Sequence, residues 1–264
     1  MPELPEVETV VRSIAPLVGR RIESAEFRCL RILRGADPER LAASLQGRRI
    51  AAVGRHGKFI LVSLHGGGYL VIHLGMTGRL LLGDQAGKHT HAIFTLDRDV
   101  LLYDDSRQFG SIQFSADLPQ RLSKLGPEPL EVSFTDFAAA LRRRKARVKA
   151  LLLNQRFLRG LGNIYADEAL FRAGIHPLAI ASRLRSERAR RLHRAIVAVL
   201  REAIAAGGSS ISDYVDAQGR KGFFQTSHRV YQRTGEPCVT CGTPIRRILV
   251  SQRSSHFCPA CQKR

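Results

Sequence analysis

Tryptophan is absent from this 264-residue chain, methionine occurs twice, and aromatic residues make up only 6% of it. So few rings leave no broad platform on which the bases of a single RNA strand could stack, which argues against that class of partner. No run of about 18 consecutive apolar residues occurs, so no membrane-spanning helix is predicted. The first residues carry Glu3, Glu6 and Glu8 where a secretory signal would carry basic and then apolar residues, and a cytoplasmic protein is expected. Carboxylates are also scarce: 23 Asp and Glu stand against 42 Lys and Arg, a net charge of +19. That excess is the electrostatic footprint of a polyanion binder. A membrane surface is the competing polyanion, but no Lys-rich amphipathic helix flanked by aromatics stands out, and nucleic acid is the predicted partner.

Of five cysteines, Cys29 lies alone in an apolar, strand-like stretch and is read as a small hydrophobe. Cys238, Cys241, Cys258 and Cys261 form two C-x2-C pairs separated by sixteen residues. This spacing predicts a zinc ribbon, four thiolates around one tetrahedral Zn²⁺ at about 2.3 Å. The ion lets a hairpin with little apolar core fold. With every position taken by Cys it is structural, leaving none open for water. Disulfide pairing is the alternative, disfavoured without a secretory signal.

Val7, Val10, Val11, Ile14 and Leu17 recur at helical spacing before Gly19, which predicts a helix over 5–18. From Arg21 to about Phe114 the pattern changes to short apolar or alternating runs (58–64, 69–74, 91–96, 100–103) broken by turn residues, as in antiparallel hairpins. Gly126-Pro127-Glu128-Pro129-Leu130 is read as a hinge with no core face. Helices are predicted over 136–144, 148–153, 163–172 and 182–206, the last bearing Arg188, Arg190, Arg191 and Arg194 on what is read as a solvated face. The expected fold class is α+β: an N-terminal helix with an antiparallel β-sandwich domain (1–128), a helical domain (132–224) and a C-terminal zinc-ribbon finger (225–264).

Removal of Met1 would leave the ring nitrogen of Pro2 as a free secondary amine, able to add to an aldehyde-level carbon and form an iminium. A terminal amine titrates near about 7.7 to 8.0 against about 10.4 for lysine, so a useful fraction is unprotonated at neutral pH. The alternative is that Pro2 and Pro5 merely open the first helix. Glu3 is the carboxyl best placed to hand over a proton beside that amine, or a first-turn glutamate facing the helix dipole. Glu6 is read as dipole partner and stabiliser of the terminus. Arg253, between Ser251-Gln252 and Ser254-Ser255 in the ribbon hairpin, suits a guanidinium aimed at a phosphate. Further phosphate contacts are expected from His89, Arg144, Lys149 and the Gly162-Asn163 helix start, where Asn163 could instead be an N-cap.

Several stretches together resemble the formamidopyrimidine-DNA glycosylase family of base-excision repair enzymes. They are Pro2-Glu3-Leu4-Pro5-Glu6-Val7-Glu8-Thr9, His73-Leu74-Gly75-Met76-Thr77-Gly78, Asp105-Ser106-Arg107-Gln108-Phe109-Gly110, Leu161-Gly162-Asn163-Ile164-Tyr165-Ala166-Asp167-Glu168 and Gln252-Arg253-Ser254-Ser255. The resemblance runs end to end, and Leu4 with Gly174-Ile175-His176-Pro177 is similar to the branch acting on oxidised purines. It implies a helix-two-turn-helix in the helical domain and a monomer acting on damaged duplex DNA. It implies that Pro2 attacks C1′ of the damaged nucleotide, that Lys58 is an acid/base group or phosphate contact, and that Arg253 grips the lesion phosphates during strand cleavage. Met76, Arg107 and Phe109 would fill the space left by an extruded nucleotide, and residues 217–225 would form a mobile loop over the extruded base. The chain departs from the family pattern at Ser106, Gln108 and Gln232. The rival readings are an endonuclease VIII-like enzyme for oxidised pyrimidines and a non-catalytic DNA-binding zinc-ribbon protein.

Overall fold

The computed structural model describes every residue except Ser212. Packing divides the chain into two compact units: Met1–Ser123 with Ala206–Phe223, and Lys124–Ala205 with Phe224–Arg264. The first contains α1 (Leu4–Ile14), β1 (Ile22–Phe27), α2 (Pro38–Leu45), β2 (Ile50–His56), β3 (Phe59–Leu64), β4 (Tyr69–His73), β5 (Gly78–Leu82), β6 (Thr90–Leu96), β7 (Val100–Asp105), β8 (Ser111–Ser115) and the short α3 (Gln120–Ser123).

The strands form two antiparallel four-stranded sheets, ordered β1-β6-β7-β5 and β2-β3-β4-β8. Alternation positions them: in β3, Ile60, Val62 and Leu64 are buried while the residues between are half-covered. Those side chains share one core with Val7, Val10, Val11 and Ile14 of α1, each buried side chain contributing roughly 1.5 to 3 kcal/mol. The sandwich with its N-terminal helix is thus observed as read from the sequence. The strand-like reading of Arg21 to Phe114 overlooked α2. Asp37 accepts a hydrogen bond from Arg40 N at 2.8 Å and Pro38 follows it, a helix start that the eight-residue length of the element kept inconspicuous.

The segment Ala206–Phe223, read with the helices, packs instead in the first unit. Ser209 N donates to Glu6 Oε1 at 2.7 Å, Leu82 N to Ala217 O at 2.8 Å and Ala217 N to Ser13 Oγ at 3.1 Å. The start of the expected mobile loop is therefore held: Asp216, itself buried, accepts from Gln218 N and Arg220 N and pairs with the Arg220 guanidinium at 2.8 Å.

The second unit contains α4 (Phe134–Arg142), α5 (Val148–Leu153), α6 (Asn163–Arg172), α7 (Ser186–Ala205), β9 (Arg246–Val250) and β10 (Arg253–Phe257). From Ile164 to Phe171 α6 is buried, and α7 covers it with Leu192, Ile196, Val199 and Leu200. The stretch at 126–130 is no free hinge. Gly126 N donates to Gln155 O at 2.8 Å, a Cβ at Gly126 would lie 2.6 Å from Phe157 C, and buried Glu128 pairs with Arg159 at 3.2 Å.

Candidate active site and nucleic-acid interface

In the first unit, Pro2 and Glu3 are buried at the start of α1, where Glu3 is the N-cap. Glu3 and Glu6 form a reciprocal capping box, and Glu6 Oε2 accepts from Glu3 N at 2.8 Å. Glu6 also receives Ser209 N, so one buried carboxylate fixes both the terminus and the 206–223 segment. This bears on both roles considered for Glu3, since the cap leaves its carboxyl beside the amine. Burial pulls the terminal ammonium of the Met1-containing chain below its ordinary range. Glu3 and Glu6 oppose that shift, while the cations of Lys58 and Arg107 reinforce it. The Met1 amine next to Pro2 thus shares one electrostatic neighbourhood with Glu3, Lys58 and Arg107.

Lys58 sits with Gly57 in the two-residue turn joining β2 to β3, closed by the His56 to Phe59 pair. Gly57 adopts φ +62°, the left-handed conformation such a turn demands. The lysine is buried instead of solvated. Burial and then the Lys58 charge hold the His73 imidazole down at about 4. Neutral His73 accepts from Gly75 N at 3.1 Å and so shapes the turn that carries Met76.

Met76 and Phe109 are each about two-fifths exposed, at 41% and 42%, among core-facing neighbours. Their loops interlock at Gly75, where a Cβ would lie 2.5 Å from Gly110 N. Asp105, fully buried, organises the second loop. Its carboxylate accepts from Thr77 Oγ1 at 2.6 Å and Gly110 N at 2.8 Å, and its carbonyl accepts from Gln108 N at 3.2 Å. Arg34 clamps the same loop from outside, donating to Phe109 O and Gly110 O at 3.1 Å. The Arg107 guanidinium stacks 4.7 Å from the centre of the Phe109 ring. His89 is exposed and its carbonyl receives Asp105 N. Sequence reasoning quoted Asp105 within a motif without a role and missed Arg34; the only available signal was a carboxylate in a tight Gly-flanked loop.

In the second unit Arg253 is exposed as the first residue of β10. It pairs with Val250 across the turn Ser251-Gln252, whose φ values of +50° and +60° define a tight two-residue hairpin. The next residues are anchored to α6. Asn163 Nδ2 donates to Ser254 O at 2.9 Å, and Asp167, buried, accepts from His256 N at 2.9 Å and lies 3.1 Å from His256 Nδ1. Asn163 is the first helical residue and Gly162 the N-cap, so the side chain of Asn163 ties ribbon to helix instead of capping it. Glu168, also buried, accepts from the N–H groups of Arg229, Val230 and Tyr231 at 2.9 to 3.0 Å, which fixes the entry to the ribbon. Arg144 is exposed on the loop before α5.

Lys149 corrects the sequence reading. It is 0% exposed, ion-paired with Asp167, and 3.4 Å from Ser254 O. A lysine buried against a buried aspartate is a structural cation that holds α5, α6 and β10 together, and a surface phosphate has no access to it.

Cys238, Cys241, Cys258 and Cys261 place their Sγ atoms within 4.8 Å of one another, with separations of 3.4, 3.5 and 3.9 Å among them. Tetrahedral bonding at about 2.3 Å puts sulfurs about 3.8 Å apart, so this donor set fits one zinc ion. Bonds from Thr243 draw the Cys241 thiol down to about 6, whereas burial and then the neighbouring thiols push Cys261 up. Four thiolates this close need the cation. Changing Cys258 to Ser, or chelating the metal, is expected to release β9 and β10 into fast hydrogen exchange and to weaken DNA binding at least about tenfold, while the sandwich amides stay protected. Unchanged ribbon protection would contradict the structural role.

The comparisons with known proteins agree with this architecture along its whole length. Residues 1–112 match the formamidopyrimidine-DNA glycosylase N-terminal domain, 125–215 the H2TH domain of the same glycosylase, and 235–264 a zinc finger found in FPG and IleRS. The formamidopyrimidine-DNA glycosylase of Solibacter usitatus is 71% identical over 264 residues, covering 100% of both chains, and that of Heliobacterium modesticaldum is 50% identical over 277, again covering 100% of both. Among solved structures, the MutM (FPG) protein of Thermus thermophilus superposes with a TM-score of 0.89 at 45% identity, covering 99% of this chain and 98% of that one. A Lactococcus lactis FPG mutant in complex with Fapy-dG containing DNA gives 0.93 at 37%, covering 100% of both. The chain belongs to the formamidopyrimidine-DNA glycosylase family.

Proposed function

We propose that this protein excises oxidised purines, 8-oxoguanine and formamidopyrimidines, from duplex DNA and then cleaves the strand, with Pro2 as nucleophile. The observation that carries this reading is that Pro2 is buried beside a terminal amine that feels the charges of Glu3, Lys58 and Arg107, in a chain that matches a family member over the whole of both. After Met1 is removed, the lone pair of Pro2 nitrogen bonds to C1′ and the electrons of the bond from C1′ to the base pass to the base. The proton given up by the Pro2 nitrogen neutralises the departing base. Glu3 passes a proton to O4′ as the ring opens, leaving an iminium between Pro2 and the sugar. Loss of a C2′ proton expels the 3′-phosphate, a second elimination expels the 5′-phosphate, and water then frees the amine. Lys58 supplies a cation beside the departing base, and Arg253 grips the lesion phosphates. Zinc holds the ribbon that carries Arg253 and takes no part in these steps.

We assign catalysis to the first unit, including Ala206–Phe223, and the helical and finger portions to the second, and we infer a monomer working on DNA in the cytoplasm, at the nucleoid. Duplexes containing 8-oxoguanine or thymine glycol test the substrate class under single-turnover conditions. Faster release of 8-oxoguanine is expected. Faster release from thymine glycol would move the enzyme to the pyrimidine branch, and binding without any release would remove the chemistry altogether.

Met76, Arg107 and Phe109 are the proposed wedge, and His89, Arg144 and Asn163 the positioning contacts to the duplex backbone. Salt separates the two groups. Arg144→Ala removes one exposed guanidinium, so the slope of log affinity against log salt is expected to become shallower by about 0.9. Phe109→Ala leaves that slope unchanged and costs roughly 1 to 3 kcal/mol of stacking, mostly in lesion-specific binding. The loop itself keeps its shape, because Asp105 and Arg34 hold its backbone. Equal loss on lesion and undamaged duplexes for Phe109→Ala would refute the wedge.

A further inference from the structure

Two cavities in the second unit share Arg188 as a common wall. One, of about 460 Å³, lies between the start of α5, residues 178–184 and the C-terminus, and carries Arg147, Arg183 and Arg188. The other, of about 640 Å³, lies between the end of α6 and the cysteine knuckles and carries Arg188, Arg191, Arg229 and Lys263. No aspartate or glutamate lines either cavity among the described residues, although Arg191 pairs with Glu187 at 3.0 Å and Arg172, also in the second wall, with Glu202 at 2.6 Å.

This basic groove is remote from the lesion-facing end of the same unit. Asn163 stands at the first turn of α6 whereas the groove meets Phe171–Gly174 at its last, roughly 14 Å away at 1.5 Å per residue. The ribbon repeats the separation, because Arg253 opens β10 and Phe257 closes it, roughly 13 Å away at about 3.3 Å per residue, on the way to Cys261 in the groove wall. Arg188 donates to the backbone carbonyl of Lys263 at 2.6 Å and to Arg264 O, at the end of the chain, at 2.9 Å. Burial and then the charges of Arg191 and Arg185 hold its guanidinium below the ordinary range. Arg147, Arg183 and Arg229 add further guanidinium groups to the walls, so the cations outnumber these partners and a further anion is favoured. Guanidinium forks match phosphate oxygens two at a time, and two cavities in series fit a chain of phosphates better than a single ion.

We propose that this groove is a second DNA-binding site, which takes the phosphodiester backbone of an undamaged duplex segment while the lesion duplex occupies the catalytic face. Two sites on one chain would let the enzyme pass between DNA segments without full release, and a groove that reads only phosphate imposes no sequence. The proposal depends on the lesion-binding reading for its first site, and the test treats the two separately.

Zinc-loaded full-length enzyme is first saturated with a short duplex carrying a reduced abasic analogue, and a second, labelled undamaged duplex is then titrated in by fluorescence anisotropy. One second duplex per filled enzyme is expected. In a variant combining Arg183→Glu with Arg191→Glu, both exposed, the second affinity is expected to fall at least about tenfold with a shallower salt slope. Single-turnover excision from the short lesion duplex should be unchanged, and zinc content and circular dichroism confirm that the variant is folded. A filled enzyme that takes no second duplex, or a variant that takes it with wild-type affinity, overturns the proposal. Failure of the short lesion duplex to bind at all would instead strike the first-site reading.

Discussion

Acetylating the terminal amine of the Met1-processed chain should abolish borohydride trapping on lesion duplex and lower excision by a factor on the order of 10⁴ or more, as loss of a nucleophile from a catalytic unit does. The reason is electronic. An acetylated nitrogen has its lone pair delocalised into a carbonyl and cannot form an iminium, although α1 and the pocket around it are unchanged. Pro2→Gly, which keeps a terminal amine, should retain part of the trapping. Undiminished trapping by the acetylated enzyme would remove Pro2 from the mechanism.

The second large effect belongs to Glu3. Replacement by Gln keeps an oxygen able to accept the capping hydrogen bond at the start of α1, so the fold should persist. What disappears is the acidic proton for O4′. Single-turnover base release should therefore slow about 10²- to 10⁴-fold, with lesion-duplex affinity essentially unaltered. Wild-type excision by Glu3→Gln would show that the carboxylate serves only as a cap. Glu6→Gln is a useful contrast, because Glu6 accepts backbone N–H groups from both Glu3 and Ser209 and its loss should disturb the terminus itself.

Elements with strong periodicity were legible from the residues alone. The spacing of Val7, Val10, Val11 and Ile14 predicted α1, and the predicted helices over 148–153 and 163–172 coincide with α5 and α6. The two C-x2-C pairs predicted the cluster that the fold assembles. Long-range partners were not legible. Lys149 reads as a surface cation until Asp167, eighteen residues on, is seen to bury it, and no local pattern records that pairing. Asp105, Asp167 and Glu168 each stand in quoted motifs, but their work is to bind backbone N–H groups brought to them by tertiary folding.

Backbone conformation was hidden for a related reason. Gln232 adopts a positive φ of +61°, and so do Gln108 at +54° and Ser251 and Gln252 in the hairpin turn at +50° and +60°. Glutamine and serine carry no signal for the left-handed region, which the surrounding structure imposes on them. The 206–223 segment escaped in the same way. The resemblance implied a mobile loop at 217–225, whereas Gly222 is pressed so closely against the backbone of Gly207 and Gly208 that a Cβ would lie 2.3 Å from their carbonyl oxygens.

The central claim, that the nucleophile is the nitrogen of Pro2 in a chain lacking Met1, is tested most directly by finding the covalent bond. Enzyme trapped with borohydride on an 8-oxoguanine duplex is digested with nuclease and protease, and the peptide carrying the reduced sugar is sequenced by tandem mass spectrometry. The account predicts a modified N-terminal peptide that begins at Pro2, with the added mass on that residue. A modification on Lys58 or another lysine, with an unmodified amino terminus, would contradict it.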